Sequence, residues 1–470
     1  MRGVKQHAQD VSIHLPEGGL RTFHLDGKAR TTKIRFLDSM GGALSDDFSR
    51  VARGFDFAAE ADVRAATKAI KIGRESKVSR IMTSFGVAPR TAETGQILRR
   101  MHPAPIKPVV KPAVRGVQLT TSAGACYECL MTEAGSITCP IDFSGFSSEA
   151  LCHDRGQAKE STLSWEIARL QEILGSGGAP SAIHFILITG SLTALNKDSP
   201  VETQERLAAG EECRLRPVNS GSGILKTCLR EALSQPAAQR ALAELLPIQM
   251  GGIPSGPQTK IYMARLLYDE GYFASLQDAI NAFNAIHRQA VLDARNELWP
   301  EATLLVGRVY GPKAPCLYVY NDEDGHLHVD CMLSQEGSRM GCVLGGAIFN
   351  MAVHRFIYRL MACEFPSLLQ RALTDDFSKF GKPPKDTPEH WDATFDLLAN
   401  ALARYDALAN PIGIFRHPDK GRMLLPKNAK DSEPGHRLLS LTQVTRQAVR
   451  IAGLRTLDFG LGVGFASKSY

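Results

Sequence analysis

Helical and strand-like patterns of apolar residues cover two parts of the chain. Residues 58–100 repeat apolar positions with a helical period, and the turn sequence from Gly86 to Pro89 divides them, which predicts a small unit of helices. From Thr162 to about Leu425, helical segments alternate with short strand-like ones, and no segment is repeated. The larger part is therefore predicted to mix helices and strands.

Proline and cysteine mark the segments between these two parts. Between Met101 and Gly116, four prolines are interleaved with Lys and Arg, a composition typical of an extended, polyproline-like linker. In residues 117–156, Cys126 and Cys129 are separated by two residues, a spacing typical of zinc sites. The second half of residues 117–156 lacks such a pair, so free cysteines in a loop-rich connector are the alternative we favour. The residues that would bind zinc are Cys126, Cys129, Cys139 and either Cys152 or His153.

The composition is that of a globular protein, with 44% hydrophobic and 22% charged residues. Because 470 residues exceed one compact core of ordinary size, we expect two or three domains. The net charge of +6 would suit a polyanionic partner, but many proteins that bind none share this excess. Charge alone therefore decides nothing about function.

Cysteine usage and hydropathy bear on the compartment. Ten cysteines behind a polar, charged stretch of 20 residues without signal-peptide features predict reduced thiols in a cytosolic or nuclear protein. The apolar runs at 182–192 and 341–353 are shorter than the roughly 20 residues that a membrane span needs. We therefore expect neither disulfides nor an integral membrane protein.

Aspartates are the first candidates for chemistry. Asp278 follows a short strand-like segment and precedes a helical one at 286–298, and the pair Asp375-Asp376 is flanked by apolar residues as in a short hairpin. Taken alone, such a pair is more often a solvated turn, and a lone aspartate before a helix is usually its N-cap. Nucleotidyl transfer with two divalent metals, however, requires carboxylates at a strand end and at a neighbouring hairpin.

A glycine-rich segment lies between these aspartates. Residues 334–346 contain Gly337, Gly341 and two further glycines, and they lead into a predicted helix from Ile348 to Met361. Glycine in such a strand-to-helix turn lets the backbone approach a nucleotide closely. A lone Asp, a glycine-rich turn and an Asp pair therefore follow one another along the chain.

This order resembles that of motifs A, B and C of reverse transcriptases. The amino-acid sequences of the motifs resemble those of non-LTR retrotransposons, including those of protists. Residues 278–284 resemble motif A, residues 335–345 resemble motif B, and Thr374 to Asp376 stand at motif C. Residues 192–197 and 215–218 are similar to the fingers strands of this family. Weaker similarities, which extend the resemblance over residues 70–100 and 160–430, are at 73–103, at 411–426 for motif D and at 453–464 for motif E.

The resemblance implies an α+β fold, the fingers and palm of a right-hand polymerase, with an antiparallel sheet backed by helices and a helical N-terminal region. The implied divisions are an N-terminal region and linker (1–116), a Cys-containing connector (117–160), fingers (161–265), palm (266–430) and an incomplete palm or thumb tail (431–470). The chain ends soon after motif E, so we expect a fragment without thumb or endonuclease, and little processive synthesis by this chain alone.

The resemblance also implies roles for individual residues. Asp278, Asp375 and Asp376 would coordinate two Mg²⁺ ions, for which Mn²⁺ can substitute, and Phe283 would exclude a ribose 2′ hydroxyl. The residues implied to contact the nucleotide are Lys197 and Arg216 at the triphosphate, Lys420 near the pyrophosphate, and Gly337 and Gly341 near the nascent base pair. The implied partners are an RNA template, a DNA primer or nicked target DNA, and deoxynucleoside triphosphates, in the nucleus or alternatively the cytoplasm.

Two departures from the family pattern, together with the missing thumb, favour a second hypothesis. Met340 replaces a glutamine of motif B, and Thr374 replaces a small apolar residue. Leu373, where a tyrosine is usual, is a further departure that leaves the carboxylates unchanged. The chain would then be a weakened or inactive descendant that binds nucleic acid or serves in assembly. A third hypothesis, a general α/β enzyme with a nucleotide site, has neither a Gly-x-Gly-x-x-Gly nor a Walker sequence to support it.

Overall fold

The computed structural model describes strands at 9–14, 20–25 and 34–38 and the residue ranges 85–105, 122–133 and 163–424, with gaps at 177, 254–255, 324–326, 386 and 418–420. The chain divides into two compact units, residues 1–88 with 195–216 and residues 89–194 with 217–470. The predicted boundaries of connector, fingers and palm stay predictions.

The described elements alternate along the chain as predicted. The strands are β1 (Gln9–His14), β2 (Leu20–Leu25), β3 (Ile34–Asp38), β4 (Gly190–Asn196), β5 (Leu215–Ser220), β6 (Phe273–Gln277), β7 (Ala314–Asn321), β8 (Leu327–Ser334), β9 (Leu369–Leu373), β10 (Asp376–Gly381) and β11 (Arg422–Leu424). The helices are α1 (Ala92–Arg100), α2 (Ala123–Glu133), α3 (Leu163–Gly175), α4 (Ser181–Ile188), α5 (Pro200–Ala208), α6 (Gly223–Ser234), α7 (Pro236–Ala243), α8 (Gly256–Asp269), α9 (Ala282–Ala285), α10 (Arg288–Leu298), α11 (Thr303–Tyr310), α12 (Gly345–Val353), α13 (Arg359–Glu364) and α14 (Pro388–Ala409). A π-helical segment, His354–Tyr358, joins α12 to α13.

The first unit contains an antiparallel sheet of β1, β2 and β3 in that order, together with α5. Helix α5 begins with a capping box. The Ser199 side chain accepts a hydrogen bond from the Glu202 backbone N–H, and the Glu202 carboxylate accepts one from the Ser199 N–H. Pro200 follows at the first helical position, where its missing N–H costs no hydrogen bond.

The second unit contains the sheet that bears the aspartates. Its strand order is β11-β6-β10-β9, and all neighbours are antiparallel. On one face, Phe377 of β10 stacks on Tyr358 of the π segment and on Tyr405 of α14. On the other face, Ala274 and Phe380 pack against α8. The predicted α+β fold, with an antiparallel sheet backed by helices, is confirmed.

A second sheet and a group of helices complete this unit. Its order is β5-β4-β7-β8, with β7 and β8 forming an antiparallel hairpin and β4 parallel to β7. The largest hydrophobic cluster surrounds Trp299, Tyr310 and Phe349, all fully buried. Each such side chain contributes on the order of 2 kcal/mol through burial. Helices α6 and α7 and helices α9 to α14 are thereby packed into one core, whereas α8 packs in the separate cluster with Ala274 and Phe380.

Helix α1 confirms a helix at the end of the predicted helical segment, whereas residues 51–84 lie outside the described residues. The expected helical N-terminal region also contains the strands β1, β2 and β3, which corrects the expectation of helices alone. Helix α2 corrects the expectation of a loop-rich connector, because both Cys126 and Cys129 lie within it. Ser122 favours this helix, since its Oγ accepts a hydrogen bond from the Ala125 N–H at 3.1 Å. Cys139, Cys152 and His153 lie outside the described part, so the zinc site stays a prediction.

The remaining sequence predictions concern Lys420, the glycine-rich segment near the C-terminus and membrane-spanning helices. Lys420 and the glycine-rich segment 453–464 lie outside the described residues. None of the described helices is both long and apolar enough to cross a membrane.

Candidate active site

Asp278 lies where strand β6 ends. Its backbone carbonyl accepts a hydrogen bond from the His417 N–H at 2.8 Å, and the Ile280 N–H donates to the Phe415 carbonyl at 2.9 Å. These bonds continue the strand pairing past Gln277, so Asp278 is held in an extended segment and does not cap a helix.

The pair Asp375-Asp376 lies at a tight hairpin. Leu373 of β9 is paired with Asp376 of β10, which leaves Thr374 and Asp375 as a two-residue loop. Thr374 has a φ of +60°. A positive φ at the first central position is typical of hairpin turns and is usually supplied by glycine. The predicted hairpin is confirmed, and its strained position is Thr374.

The register between β6 and β10 brings the aspartates together. Gln277 is paired with Phe377, so the next position outward places Asp278 opposite Asp376. Residues directly opposite each other in an antiparallel pair have Cα atoms roughly 4.5–5.5 Å apart. Asp375 is adjacent in the loop. All three carboxylates are therefore carried by the same end of one sheet.

The negative charge at this end of the sheet affects the pKa values of two buried tyrosines. Burial raises the pKa of Tyr405, and the carboxylates of Asp375, Asp406 and Asp278 raise it further. Burial also raises the pKa of Tyr358, with smaller contributions from Tyr405, Asp375 and Asp376. The negative charges of Asp278 and Asp375 thus act on the same phenol.

A buried lysine adjoins the acidic pair and was not predicted. Lys260 of α8 is 5% exposed, and its Nζ donates to the backbone carbonyl of Asp376 at 2.9 Å. Burial lowers the pKa of Lys260, while the charges of Asp376 and Asp375 oppose this shift. Helix α8 therefore contributes a polar contact to the hairpin as well as apolar packing.

The carboxylates are hard oxygen donors of the kind that Mg²⁺ prefers. Within the part of the chain that the structure describes, no group of three or more His, Cys, Asp or Glu side chains is arranged to hold a metal ion. Protein-bound Mg²⁺ is usually held by one or two carboxylates together with water and substrate phosphates. The chemistry of the donor set fits this ion.

Gly337 lies against the segment that follows Asp278. Its φ is +72°, and a Cβ at this position would overlap the carbonyl oxygen of Phe283. The Gly337 N–H donates to the Ile286 carbonyl at 2.9 Å, and the Ser338 N–H donates to the Phe283 carbonyl at 2.7 Å. Glycine is required here for close contact between two backbone segments.

Gly341 makes a similar contact with β5. Its φ is +91°, and a Cβ would overlap the carbonyl oxygen of Asn219. The Asn219 N–H donates to the carbonyl of Met340 at 2.9 Å. The glycine-rich turn is thereby fixed both to the Asp278 segment and to a strand of the second sheet.

Phe283 is half-buried, and its ring stacks on the buried ring of Phe349 in α12, with centroids 4.5 Å apart and planes at 15°. Because Phe349 is fully enclosed, the orientation of the Phe283 ring is fixed by the core. Phe283 belongs to the same short segment as Asp278, so ring and carboxylate are positioned together.

Arg288 organises the glycine-rich turn and was also not predicted. Its buried guanidinium donates to the carbonyls of Ser334, Glu336 and Gly337 at 2.9, 2.7 and 3.2 Å. Burial, reinforced by the nearby charge of Arg339, lowers the pKa of Arg288 to about 10, so the group is charged at neutral pH. Arg288 is the first residue of α10, and a polar residue at a helix start carries no sequence signal of burial.

Lys197 and Arg216 lie in the first unit, whereas the aspartates lie in the second. Both are half-buried, Lys197 directly after β4 and Arg216 within β5. Strands are present at both predicted positions, whereas their assignment to a fingers subdomain stays a prediction. The Lys197 N–H donates to the Arg214 carbonyl at 2.9 Å. The roles of Lys197 and Arg216 at a triphosphate stay predictions.

Comparison with known proteins gives a likeness in structure alone. No model of a known protein family matches the chain, and no curated protein sequence matches it. Among solved structures, the telomerase of Candida tropicalis in complex with a fragment of telomeric RNA is similar with a TM-score of 0.34 and 10% identity, over 51% of this chain and 41% of that chain. The telomerase of Candida albicans in complex with a fragment of telomeric RNA is similar with a TM-score of 0.33 and 12% identity, over 53% of this chain and 44% of that chain.

Apo telomerase of Candida tropicalis is similar with a TM-score of 0.35 and 10% identity, over 52% of this chain and 44% of that chain. The chain thus spans less than half the length of these telomerase chains.

Proposed function

We propose that the chain is an RNA-directed DNA polymerase of a retroelement, which adds deoxynucleotides to a primer under the direction of an RNA template. The observation that carries this proposal is the β6–β10 register. The paired residues Gln277 and Phe377 directly adjoin Asp278 and Asp376, and the same hairpin bears Asp375. A strand-end carboxylate beside an acidic hairpin is the arrangement that two-metal nucleotidyl transfer uses.

In this reaction the primer 3′ oxygen forms a bond to the α-phosphorus while its proton passes to water, and the bond from the α-phosphorus to the leaving pyrophosphate breaks. Asp278, Asp375 and Asp376 would hold Mg²⁺ or Mn²⁺, which when bound activates the hydroxyl and stabilises charge on the leaving group. The hairpin and the extended Asp278 segment fix the three carboxylates relative to each other. The protein's contribution is therefore positioning.

Phe283 is proposed as the residue that selects the sugar. Its ring is held by Phe349 and does not have to be ordered when a nucleotide binds. Lys197 and Arg216 are proposed to bind the triphosphate, and Lys420 the pyrophosphate, because cations stabilise the charge that develops there. The proposed partners are an RNA template, a DNA primer or nicked target DNA, and deoxynucleoside triphosphates, and the proposed location is the nucleus.

The test is incorporation of a single labelled deoxythymidine nucleotide on poly(rA)/oligo(dT) with Mg²⁺ or Mn²⁺. Single-nucleotide addition does not require processive synthesis. The wild-type chain is expected to extend the primer, and Asp375→Asn is expected to abolish extension because the amide removes a ligand charge while keeping the side chain's shape. Asp269→Asn is the matched control, since Asp269 is an exposed aspartate at the end of α8.

The expected result is extension by the wild-type chain and by Asp269→Asn, with none by Asp375→Asn. A folded wild-type chain that binds the template-primer but adds no nucleotide with either metal would contradict the proposal. It would favour the non-catalytic descendant, for which Met340 and Thr374 are the sequence observations. Equal extension by the wild-type chain and Asp375→Asn would show that a different site acts.

A further inference from the structure

The hairpin that bears the acidic pair contains an unfavourable backbone conformation. Thr374 has a φ of +60°, and β-branched residues are genuine outliers in this region. Such a conformation persists only where the surroundings impose it. The contacts of Thr374 therefore show what determines the position of Asp375.

The side chain of Gln249 makes most of these contacts. Its Oε1 accepts a hydrogen bond from the Thr374 N–H at 2.8 Å, and its Nε2 donates to the Thr374 carbonyl at 3.0 Å. The same Oε1 also accepts from the Gly251 N–H at 2.8 Å. Gln249 is 1% exposed, so water does not replace these bonds. One amide thus binds both peptide groups of the strained residue.

The backbone around Gln249 is itself attached to the hairpin. The Met250 N–H donates to the Ala372 carbonyl at 2.8 Å, and the Ala372 N–H donates to the Ile248 carbonyl at 2.7 Å. Residues 248–250 thereby pair in parallel with the end of β9. The backbone of Gln249 is consequently fixed beside Ala372, two residues before Thr374.

Two side chains from the helix after the glycine-rich turn complete the contacts. The Tyr358 hydroxyl donates to the Thr374 carbonyl at 3.0 Å, and the Asn350 amide donates to the Gly251 carbonyl at 2.9 Å. Tyr358 belongs to the π-helical segment, and such segments often occur at functional sites. A Cβ on Gly251 would lie 2.7 Å from the Thr374 Oγ1, so only glycine leaves room for the turn.

We propose that Gln249 is a positioning residue of the active site, which together with Tyr358 holds Thr374 in its left-handed conformation and so aims the carboxylate of Asp375. The inference rests on the proposed polymerase function for its catalytic consequence. The turn geometry itself does not depend on that function.

The test compares Gln249→Met, which keeps the side-chain length and removes all three hydrogen bonds, with the wild-type chain. We expect kcat for single-nucleotide incorporation to fall about 10²-fold, because small misplacement of a catalytic group has effects of this order. The KM for the deoxynucleotide is expected to stay unchanged, because both polar atoms of the buried Gln249 side chain are bonded to the protein backbone. Faster amide hydrogen exchange is expected in the peptide 369–380, which contains the Thr374 N–H.

The matched control is Gln171→Met. Gln171 of α3 is also fully buried, and its Nε2 donates to the Ile224 carbonyl at 3.0 Å, far from the hairpin in sequence. This variant is expected to lose stability but to keep the wild-type kcat and the wild-type exchange rate of peptide 369–380. A second variant, Gln249→Met with Thr374→Gly, should recover at least 10-fold of the lost kcat, because glycine adopts the left-handed conformation without strain.

Wild-type kcat and exchange in Gln249→Met would overturn the inference, and so would an equal fall of kcat in Gln171→Met. If Gln249→Met does not fold, Tyr358→Phe replaces it, and a smaller fall in kcat with faster exchange is expected. If the wild-type chain makes no DNA, the proposed function fails, and exchange of peptide 369–380 alone decides whether Gln249 holds the turn.

Discussion

Thr374 shows how a single residue can hold an unfavourable backbone conformation without loss of the hairpin geometry. A left-handed β-branched residue costs on the order of 1–3 kcal/mol. The peptide groups of Thr374 make three hydrogen bonds, two with the Gln249 amide and one with the Tyr358 hydroxyl. Each of these bonds contributes roughly 0.5–1.5 kcal/mol. The two ranges of free energy overlap, so the turn is retained although glycine would adopt this conformation without strain.

Substitution of Phe283 is expected to change the preference between deoxynucleotides and ribonucleotides. Phe283→Ala removes the ring that is fixed against Phe349, and with it the proposed barrier to a 2′ hydroxyl. We expect the preference for deoxynucleotides over ribonucleotides, as a ratio of kcat/KM values, to fall about 10²-fold, which is the order of discrimination that a steric pocket gives against one hydroxyl. The measurement is single-nucleotide incorporation of dTTP and UTP. Phe185→Ala, at an exposed ring on α4, is the control.

An unchanged ratio in Phe283→Ala, with incorporation still measurable, would show that Phe283 is only a core aromatic. A loss of activity on both substrates without a change in their ratio would show that the ring supports the Asp278 segment.

At the scale of one element, the glycine-rich turn allows a paired comparison. Gly337→Ala places a Cβ on the carbonyl oxygen of Phe283 and also strains a φ of +72°. We expect it to lower the free energy of unfolding by roughly 1–3 kcal/mol and to reduce incorporation. Gly346→Ala meets no atom within 4 Å and lies in α12, so it should be neutral or stabilise by about 0.5–1 kcal/mol. Urea unfolding followed by circular dichroism measures both.

A Gly337→Ala chain as stable and as active as Gly346→Ala would refute the close approach of the turn to Phe283. The comparison is informative because both substitutions add one methyl group within the same ten residues, and only the surroundings differ.

Elements with local signals could be predicted from the sequence. The hairpin at Asp375-Asp376, the strand that ends at Gln277 and the helix after the glycine-rich turn are each defined by apolar spacing and turn residues within a short window. Their order along the chain then indicated a common site. The alternation of helical and strand-like segments predicted a mixture of helices and strands, and the resemblance to reverse transcriptases implied the α+β arrangement.

The contacts that hold this site could not be predicted in the same way. Gln249 is 125 residues from Thr374, and Lys260 is 116 residues from Asp376. No local pattern distinguishes a buried glutamine or lysine from an exposed one, because burial is decided by the packing partner. Helix α2 was missed for a related reason, since its cysteines suggested a loop and the Ser122 cap was overlooked.

At the scale of the whole molecule, stability should depend on pH through His354. His354 lies in the π segment, is 5% exposed, and its Nδ1 has no hydrogen-bond partner within the described residues. Burial lowers the pKa of His354 from 6.5 to about 4, and the charge of Arg359 adds to the shift. The folded chain therefore resists protonation of a residue that the unfolded chain protonates readily.

The sign of the effect follows from proton binding. Between pH 6.5 and pH 4 the unfolded chain binds more protons at this site than the folded chain, so stability is fully present above pH 6.5 and is lost as the pH falls. We expect the free energy of unfolding to fall by about 2 kcal/mol between pH 7.5 and pH 5 from this group alone. The measurement is urea unfolding at both pH values.

The variant His354→Gln isolates this contribution, because burial also lowers the pKa values of His102 and His184 and the wild-type chain sums all three. The difference between wild-type and variant unfolding energies should shrink as the pH is lowered, since only the wild-type chain loses the His354 contribution. A constant difference between pH 7.5 and pH 5 would mean that His354 is protonated equally in both states.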